Sequence, residues 1–273
     1  GLNDAKLLKQ NCDIELEAFV HGSMCFAYSG RCLISSVQSG RMSNRGSCAN
    51  DCRFSYELFA KNKENGVLFR LEEDENGTHI FNSKDLNLCS YIEKIMKENC
   101  ISAFKIEGRT KSEYYVALTT RTYKMAIEDT LRGEFNALKY EKEIYTLKNR
   151  GFTDGYLISR PLEKTDTQNH LTSIEEGTHQ VQGFAENGEF FKCKGKVVLN
   201  EAYEILSPLA SKITPCDNEL GQIYEKEGKY FVKFKKMLTQ NHKEYAEIHS
   251  GNENAIKMPN LVPEFSFLRK EIV

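Results

Sequence analysis

The sequence predicts an α/β protein: the C-terminal part of a TIM-type (β/α) barrel followed by a small all-β barrel domain. Three observations predict it. Up to about position 155, strand-like and helix-like segments alternate in the rhythm of a parallel α/β unit. Only about two such units fit there, against the ~250 residues of a complete eightfold barrel. Beyond position 178, short alternating runs separated by turn residues replace the helical pattern. The chain opens on Gly1 rather than Met, so it reads as the C-terminal part of a longer polypeptide. The expected boundaries are 1–159 for the barrel part, 160–178 for a linker, 179–250 for the β-barrel domain and 251–273 for a C-terminal tail.

The elements follow in order. IELEAFVHG, from Ile14 to Gly22, alternates and ends on glycine, as a strand does when it runs out into a loop. The run Glu72-Glu73-Asp74-Glu75 reads as a solvated acidic loop. Asn82-Ser83 can cap a helix whose apolar positions Leu88, Cys89, Ile92, Ile95 and Met96 keep helical spacing to about Asn99. A short strand is expected near Ala103–Ile106. Thr110 and Glu113 then fit the capping box of a helix with Val116, Tyr123, Ile127 and Leu131 on one face. A further helix over Lys139–Arg150 ends at Gly151. In the second part, EFFKCKGKVVL and KYFVKFKKML alternate like strands, and Asn187-Gly188, Pro208, Pro215 and Glu227-Gly228 punctuate them. The last twenty residues carry no clear pattern.

Composition bounds the function. The chain has 273 residues, 40% of them hydrophobic, enough for an ordinary core. No apolar run approaches the ~18 to 20 residues of a membrane span, and the first twenty residues lack a signal-peptide pattern. The expectation is a soluble, cytoplasmic protein without membrane contact. Nine cysteines, an odd number with five scattered singly, suit a reducing compartment better than a disulfide framework. The formal charge of −2 gives no global basic footprint. Locally the balance differs: from His21 to Lys63 there are six Lys or Arg against two acids.

That cationic segment also holds Cys25, Cys32, Cys48 and Cys52, spaced C-x6-C-x15-C-x3-C. Thiolates are soft, strongly donating ligands, so four from one loop can enclose zinc or an iron–sulfur cluster. Structural zinc usually sits on short knuckles, which only Cys48/Cys52 resembles, and the wider Cys25/Cys32 pair reaches more easily around a bulkier cluster. Spacing leaves both metals open, along with the reading that the thiols are simply buried.

Residues at strand ends are the candidates for chemistry in such barrels. His21, Glu107 and Arg109 are the candidate catalytic residues. Arg31, Arg45, Arg53, Lys105 and Lys111 are candidate substrate-binding cations, since Arg forks and helix N-termini suit carboxylate or phosphate. Each is equally readable as a surface charge, a structural ion pair or, for His21, a satisfied residue under the loop. No Ser–His–Asp signature, H-E-x-x-H motif, Walker loop or G-x-G-x-x-G motif is present. Cys25 or Cys32 with His21 can be drawn as a cysteine-protease pair, but a nucleophile does not require three further thiols.

EAFVHGSMCFAYSGRCLIS, from Glu17 to Ser35, resembles the signature of the collagenase-like peptidase family, a peptidase family of unknown mechanism. The resemblance continues through CANDCR (48–53), FNSKDL (81–86), FKIEGRTKSEYY (104–115) and RGFTDGYL (150–157), covering the first part of the chain. Within the family it is most similar to prephenate-dependent tRNA uridine hydroxylases. The resemblance implies a barrel catalytic domain with a four-iron four-sulfur cluster ligated by Cys25, Cys32, Cys48 and Cys52, then a small β-barrel. It also implies tRNA as partner, prephenate as hydroxyl donor, 5-hydroxyuridine at the wobble position as product, and a missing N-terminal half of the barrel. The alternatives are a collagen-degrading peptidase, as the family label says, and a non-catalytic protein clipped by zinc.

Overall fold

The computed structural model describes residues 1–25, 32, 34–54, 58–61, 63–64, 66, 68–71, 83–158, 177–208, 211–251 and 254–272. The expected acidic loop at 72–75, the helix cap at Asn82 and most of the expected linker lie outside the described residues. The chain divides into two compact units, Gly1–Leu88 with Lys94–Glu107 and Asn149–Glu176, and Cys89–Glu93 with Gly108–Lys148 and Gly177–Val273.

In the first unit, helix α1 (Leu2–Asn11) buries Leu2 and Ala5, which lie three apart on one face. Strand β1 (Glu17–Ser23) follows, then helix α2 (Ile34–Ser39) and a hairpin of β2 (Leu58–Lys61) with β3 (Leu68–Leu71). β4 (Asp85–Asn87), helix α3 (Ile92–Lys97), β5 (Ala103–Ile106) and β6 (Phe152–Thr153) come next. β5-β1-β4-β6 form one sheet, with β1/β5 and β4/β6 parallel and β1/β4 antiparallel.

The two long-range strands expected from the sequence, near 14–22 and 103–106, are thus β1 and β5, and they pair in parallel. The continuous helix expected from Ser83 to Asn99 is corrected. Its first third is strand β4 and its middle a 3-10 turn at Cys89–Tyr91, leaving α only over Ile92–Lys97. The physical reason is visible in Asp-Leu-Asn at 85–87. Polar side chains alternate with Leu86 there, a period of two, and the backbone bonds to β1 and β6 satisfy that segment.

The second unit contains helix α4 (Glu113–Arg132) and helix α5 (Ala137–Ile144). α4 is capped by Ser112, whose Oγ accepts the N–H of Tyr115 at 3.3 Å, so the cap lies two residues beyond the expected Thr110. Its buried residues are Tyr114, Tyr115, Leu118, Thr119, Thr122, Tyr123, Ala126 and Asp129, whereas the expected face residues Val116 and Leu131 are exposed. Three tyrosines and two threonines are among them: the Thr119 and Thr122 hydroxyls donate to the Tyr115 and Leu118 carbonyls, so burial leaves them satisfied. α5 starts on Asn136 and stops at Ile144, six residues short of the expected Arg150, in a tightening turn.

The strands of this unit are β7 (His179–Ala185), β8 (Phe190–Cys193), β9 (Val197–Val198), β10 (Ala202–Leu206), β11 (Cys216–Asp217), β12 (Gly221–Lys226), β13 (Lys229–Phe234), β14 (Met237–Leu238), β15 (Glu244–Tyr245), β16 (Glu247–Ile248), β17 (Ile256–Lys257) and β18 (Ser266–Glu271). Eight form an antiparallel sheet in the order β11-β12-β13-β10-β18-β7-β8-β17. The turn at Glu227-Gly228 joins β12 to β13, both residues at positive φ as a two-residue hairpin demands. Asn187 Oδ1 accepts the N–H groups of Glu189 and Phe190, closing the Asn187-Gly188 turn as its sequence implied. Phe191, Tyr203, Val232, Phe234, Met237 and Leu268 centre the core. The last twenty residues supply β18, which lies inside the sheet between β10 and β7. Its Arg269 is wholly buried and forks onto Glu204, with Glu143, Tyr114 and Thr146 on its other nitrogen.

Candidate functional site

The site is built where β1 and β5 end side by side. Gly22 has φ +121°, and a Cβ there would meet the Glu107 carbonyl oxygen at 2.4 Å, so only glycine allows the two strand ends to approach this closely. The Glu107 N–H donates to the His21 carbonyl at 2.9 Å, fixing the two candidate residues next to each other.

Strand register sorts the side chains. Phe19 pairs with Lys105, and after an irregularity at Val20, His21 pairs with Ile106. Residues opposite each other share a face and neighbours along a strand do not. Lys105 therefore lies on the face opposite His21, where its Nζ pairs with Glu17 at 3.3 Å and sits 5.0 Å above the Phe19 ring. His21 shares its face with Asn87, Ser23, Asp85 and Phe152 through the registers of β1, β4 and β6. It is 1% exposed and its ring lies 5.8 Å from that of Phe152. Asp85 and Asn87, both buried on this face, were missed by sequence reasoning. The signal was the Asp-Leu-Asn alternation that the helical reading overrode.

The cysteine loop is anchored to the same face. Arg53 is buried, donating from Nη1 to Asp85 Oδ1 at 3.2 Å and from Nη2 to the Met24 carbonyl at 2.5 Å. Read from the sequence as a substrate-binding fork, Arg53 is instead a strut: its fork is filled by protein acceptors, as an interior guanidinium requires. At the other end of the loop, buried Ser35 accepts the Ala49 N–H at 3.1 Å and lies 3.9 Å from Cys48 Sγ. Ser39 donates to buried Asp51, and Ser43 to the Cys32 carbonyl at 2.7 Å. The serines of this segment thus fold the loop back on α2.

Cys25 is exposed, and Cys32, Cys48 and Cys52 are half-buried. Burial pushes the Cys52 thiol up, Arg53 pulls it back, and the charges of Cys25, Cys48 and Cys32 raise it again. Each of the three other sulfurs therefore lies near enough to act on Cys52 electrostatically. The Asn50 N–H donates to Cys48 Sγ at 3.3 Å. Among the described residues, no three His, Cys, Asp or Glu side chains close on one point as a single metal ion demands. Four thiols from one loop, one already receiving an N–H bond, are the donor chemistry an iron–sulfur cluster uses.

The remaining expected site residues are dispersed. Arg31 lies outside the described residues, and Arg45 is exposed on a 3-10 turn at Ser43–Arg45. Arg109 and Lys111 belong to the second unit, where they line a cavity together with α4. No described helix is long and apolar enough to cross a membrane.

These features define an α/β protein with a cysteine-rich loop over a small mixed sheet, joined in one chain to an antiparallel β unit. The description "Peptidase family U32" matches residues 1–167, and the chain belongs to that family. It is 55% identical over its whole length to "tRNA hydroxylation protein P" of Helicobacter pylori strain J99 and covers 65% of that protein. To the protein of the same name in Escherichia coli K12 it is 35% identical, over 72% of this chain and 52% of the relative. "Collagenase" of Porphyromonas gingivalis W83 is 36% identical over 55% of this chain and 35% of its own length. The chain thus spans just under two thirds of the length of the Helicobacter relative. No solved structure matches it.

Proposed function

We propose that this chain is part of an RNA-modifying hydroxylase that forms 5-hydroxyuridine at the tRNA wobble position. The observation that carries the reading is the 55% identity, across the entire chain, to a relative named for tRNA hydroxylation. The collagenase-like reading has a weaker basis, since the relatives named so align with 55% of the chain at 36% identity.

In this reading Cys25, Cys32, Cys48 and Cys52 hold a four-iron four-sulfur cluster, and prephenate is the hydroxyl donor. Bound there, such a cluster supplies one-electron chemistry, tuned by hydrogen bonds to its sulfurs. The action of the three other thiols on Cys52 supports a shared centre, and the wide Cys25/Cys32 spacing reaches more easily around a cluster than around one zinc ion. The chain's own residues hold this arrangement. Arg53 ties the loop to Asp85, the Asn50 N–H serves Cys48, and His21 is buried on the sheet face that holds Asp85, its backbone joined to Glu107. The first unit completes its sheet with the missing N-terminal half of a (β/α) barrel, and the protein works in the cytoplasm.

The test is mass spectrometry of tRNA nucleosides from a deletion strain complemented with wild-type protein or Cys48→Ser. Wild-type protein restores the hydroxylated uridine and the variant does not. Equal hydroxylation by both would end the proposal for the cysteines, and none by either would end it for the activity.

A further inference from the structure

The second unit contains a cavity of about 820 Å³ between α4 and the sheet. One wall is aromatic: Phe184 lies 4.8 Å from Phe267 and 6.3 Å from Phe265, ring centre to ring centre. Phe265 is 54% exposed and sits at φ +60°, a conformation that non-glycine residues avoid. The fold therefore holds a phenyl ring out in solvent at the cavity edge, against both hydrophobic burial and backbone preference. The other wall is cationic, with Arg109, Lys111, Arg121 and Lys124 against a single acid, Glu113. That acid is itself 3.7 Å from Lys194, and Lys124 lies 4.0 Å from Glu128 with both side chains about half exposed, so the wall still carries more positive than negative charge. Arg121 is oriented by donating Nε–H to the Ser207 carbonyl at 2.8 Å.

We propose that this cavity binds unpaired RNA nucleotides, with bases stacking on the Phe184/Phe265 wall and phosphates held by Arg109, Lys111, Arg121 and Lys124. Planar rings beside clustered cations match the two halves of a nucleotide, and stacking accepts any base because each has a π face. An acidic peptide would use the charges and leave the rings idle. The identity of the partner rests on the hydroxylase reading above, and the site deepens it by placing RNA contact in the second unit.

The test is fluorescence anisotropy with labelled octauridylate on the full chain. Phe265→Ala weakens binding about tenfold, within the range for one lost stacked base. Lys124→Ala lowers the slope of log affinity against log salt by about 0.7, as one lost phosphate contact does on a single strand. Lys235→Ala, on an exposed lysine paired with Asp217, leaves both unchanged. Wild-type affinity in both cavity variants overturns the site, as does absence of binding by the wild type or displacement of the RNA by equimolar octaglutamate. Cys48→Ser separates the two ideas: it binds octauridylate normally while losing tRNA hydroxylation. Retained hydroxylation in Cys48→Ser sinks the cysteine chemistry and leaves the cavity standing, whereas unaffected binding in both Phe265→Ala and Lys124→Ala removes the cavity alone.

Discussion

Arg53→Ala tests how the cysteine loop is held. Both Arg53 and Asp85 side chains are almost wholly buried, at 4% and 2% exposure, so their attraction is little screened and each needs the other. The substitution deletes two charge-assisted hydrogen bonds, to Asp85 and to the Met24 carbonyl, each contributing ~1.5–3 kcal/mol. It also leaves a buried carboxylate that accepts from the Ser23 hydroxyl at 3.3 Å but has lost its cation. The expected loss is about 3–5 kcal/mol, against a total stability of about 5–15 kcal/mol. The assay is urea unfolding alongside iron content of anaerobically purified protein. Arg53→Ala lowers the unfolding midpoint and the iron together, and Arg53→Lys, which keeps the charge but cannot fork, recovers part of each. The double variant Arg53→Met/Asp85→Leu returns stability to within ~1 kcal/mol, because an apolar pair replaces a buried ion pair at little net cost, yet its iron stays low. A wild-type midpoint and full iron in Arg53→Ala would refute the strut.

Gly22→Ala destabilises by at least ~2 kcal/mol, since its Cβ would lie 2.4 Å from the Glu107 oxygen at a φ that side chains avoid; an unchanged melting temperature contradicts this. Arg269→Met leaves Glu204 and Glu143 without their buried partner and costs about 3–5 kcal/mol, read by thermal unfolding. Burial alone would raise the Glu204 carboxyl, but the hydrogen bonds and charge of Arg269, with Lys229, hold it below its ordinary 4.5. The native state therefore binds fewer protons there than the unfolded chain, and this stability is fully present above pH 4.5 and lost as pH falls through the lower native value. Glu204→Gln flattens that acid limb of the stability curve, and an identical acid limb in the variant rules the linkage out.

The parts of this protein written in local chemistry are legible in its sequence. β1 and β5 announce themselves by alternation, the β12–β13 hairpin by Glu227-Gly228, and the cysteines by their crowding. What escaped depends on partners distant along the chain. β4 is a strand because β1 and β6 flank it, although Leu88, Ile92 and Ile95 just beyond it keep helical spacing. β18 carries Ser, Arg, Lys and Glu and so looks like a tail, until Arg269 finds Glu204 sixty-five residues away. The same holds for Arg53. Its charge suggested a ligand for substrate, and only the fold shows that Asp85, thirty-two residues on, already fills its fork.

The central claim is that Cys25, Cys32, Cys48 and Cys52 close around one inorganic centre. Metal and acid-labile sulfide analysis of the protein purified without oxygen addresses it most directly. The account predicts about four iron and four sulfide per chain, with both absent in Cys48→Ser. Stoichiometric zinc without iron, or iron retained in full by Cys48→Ser, would contradict it.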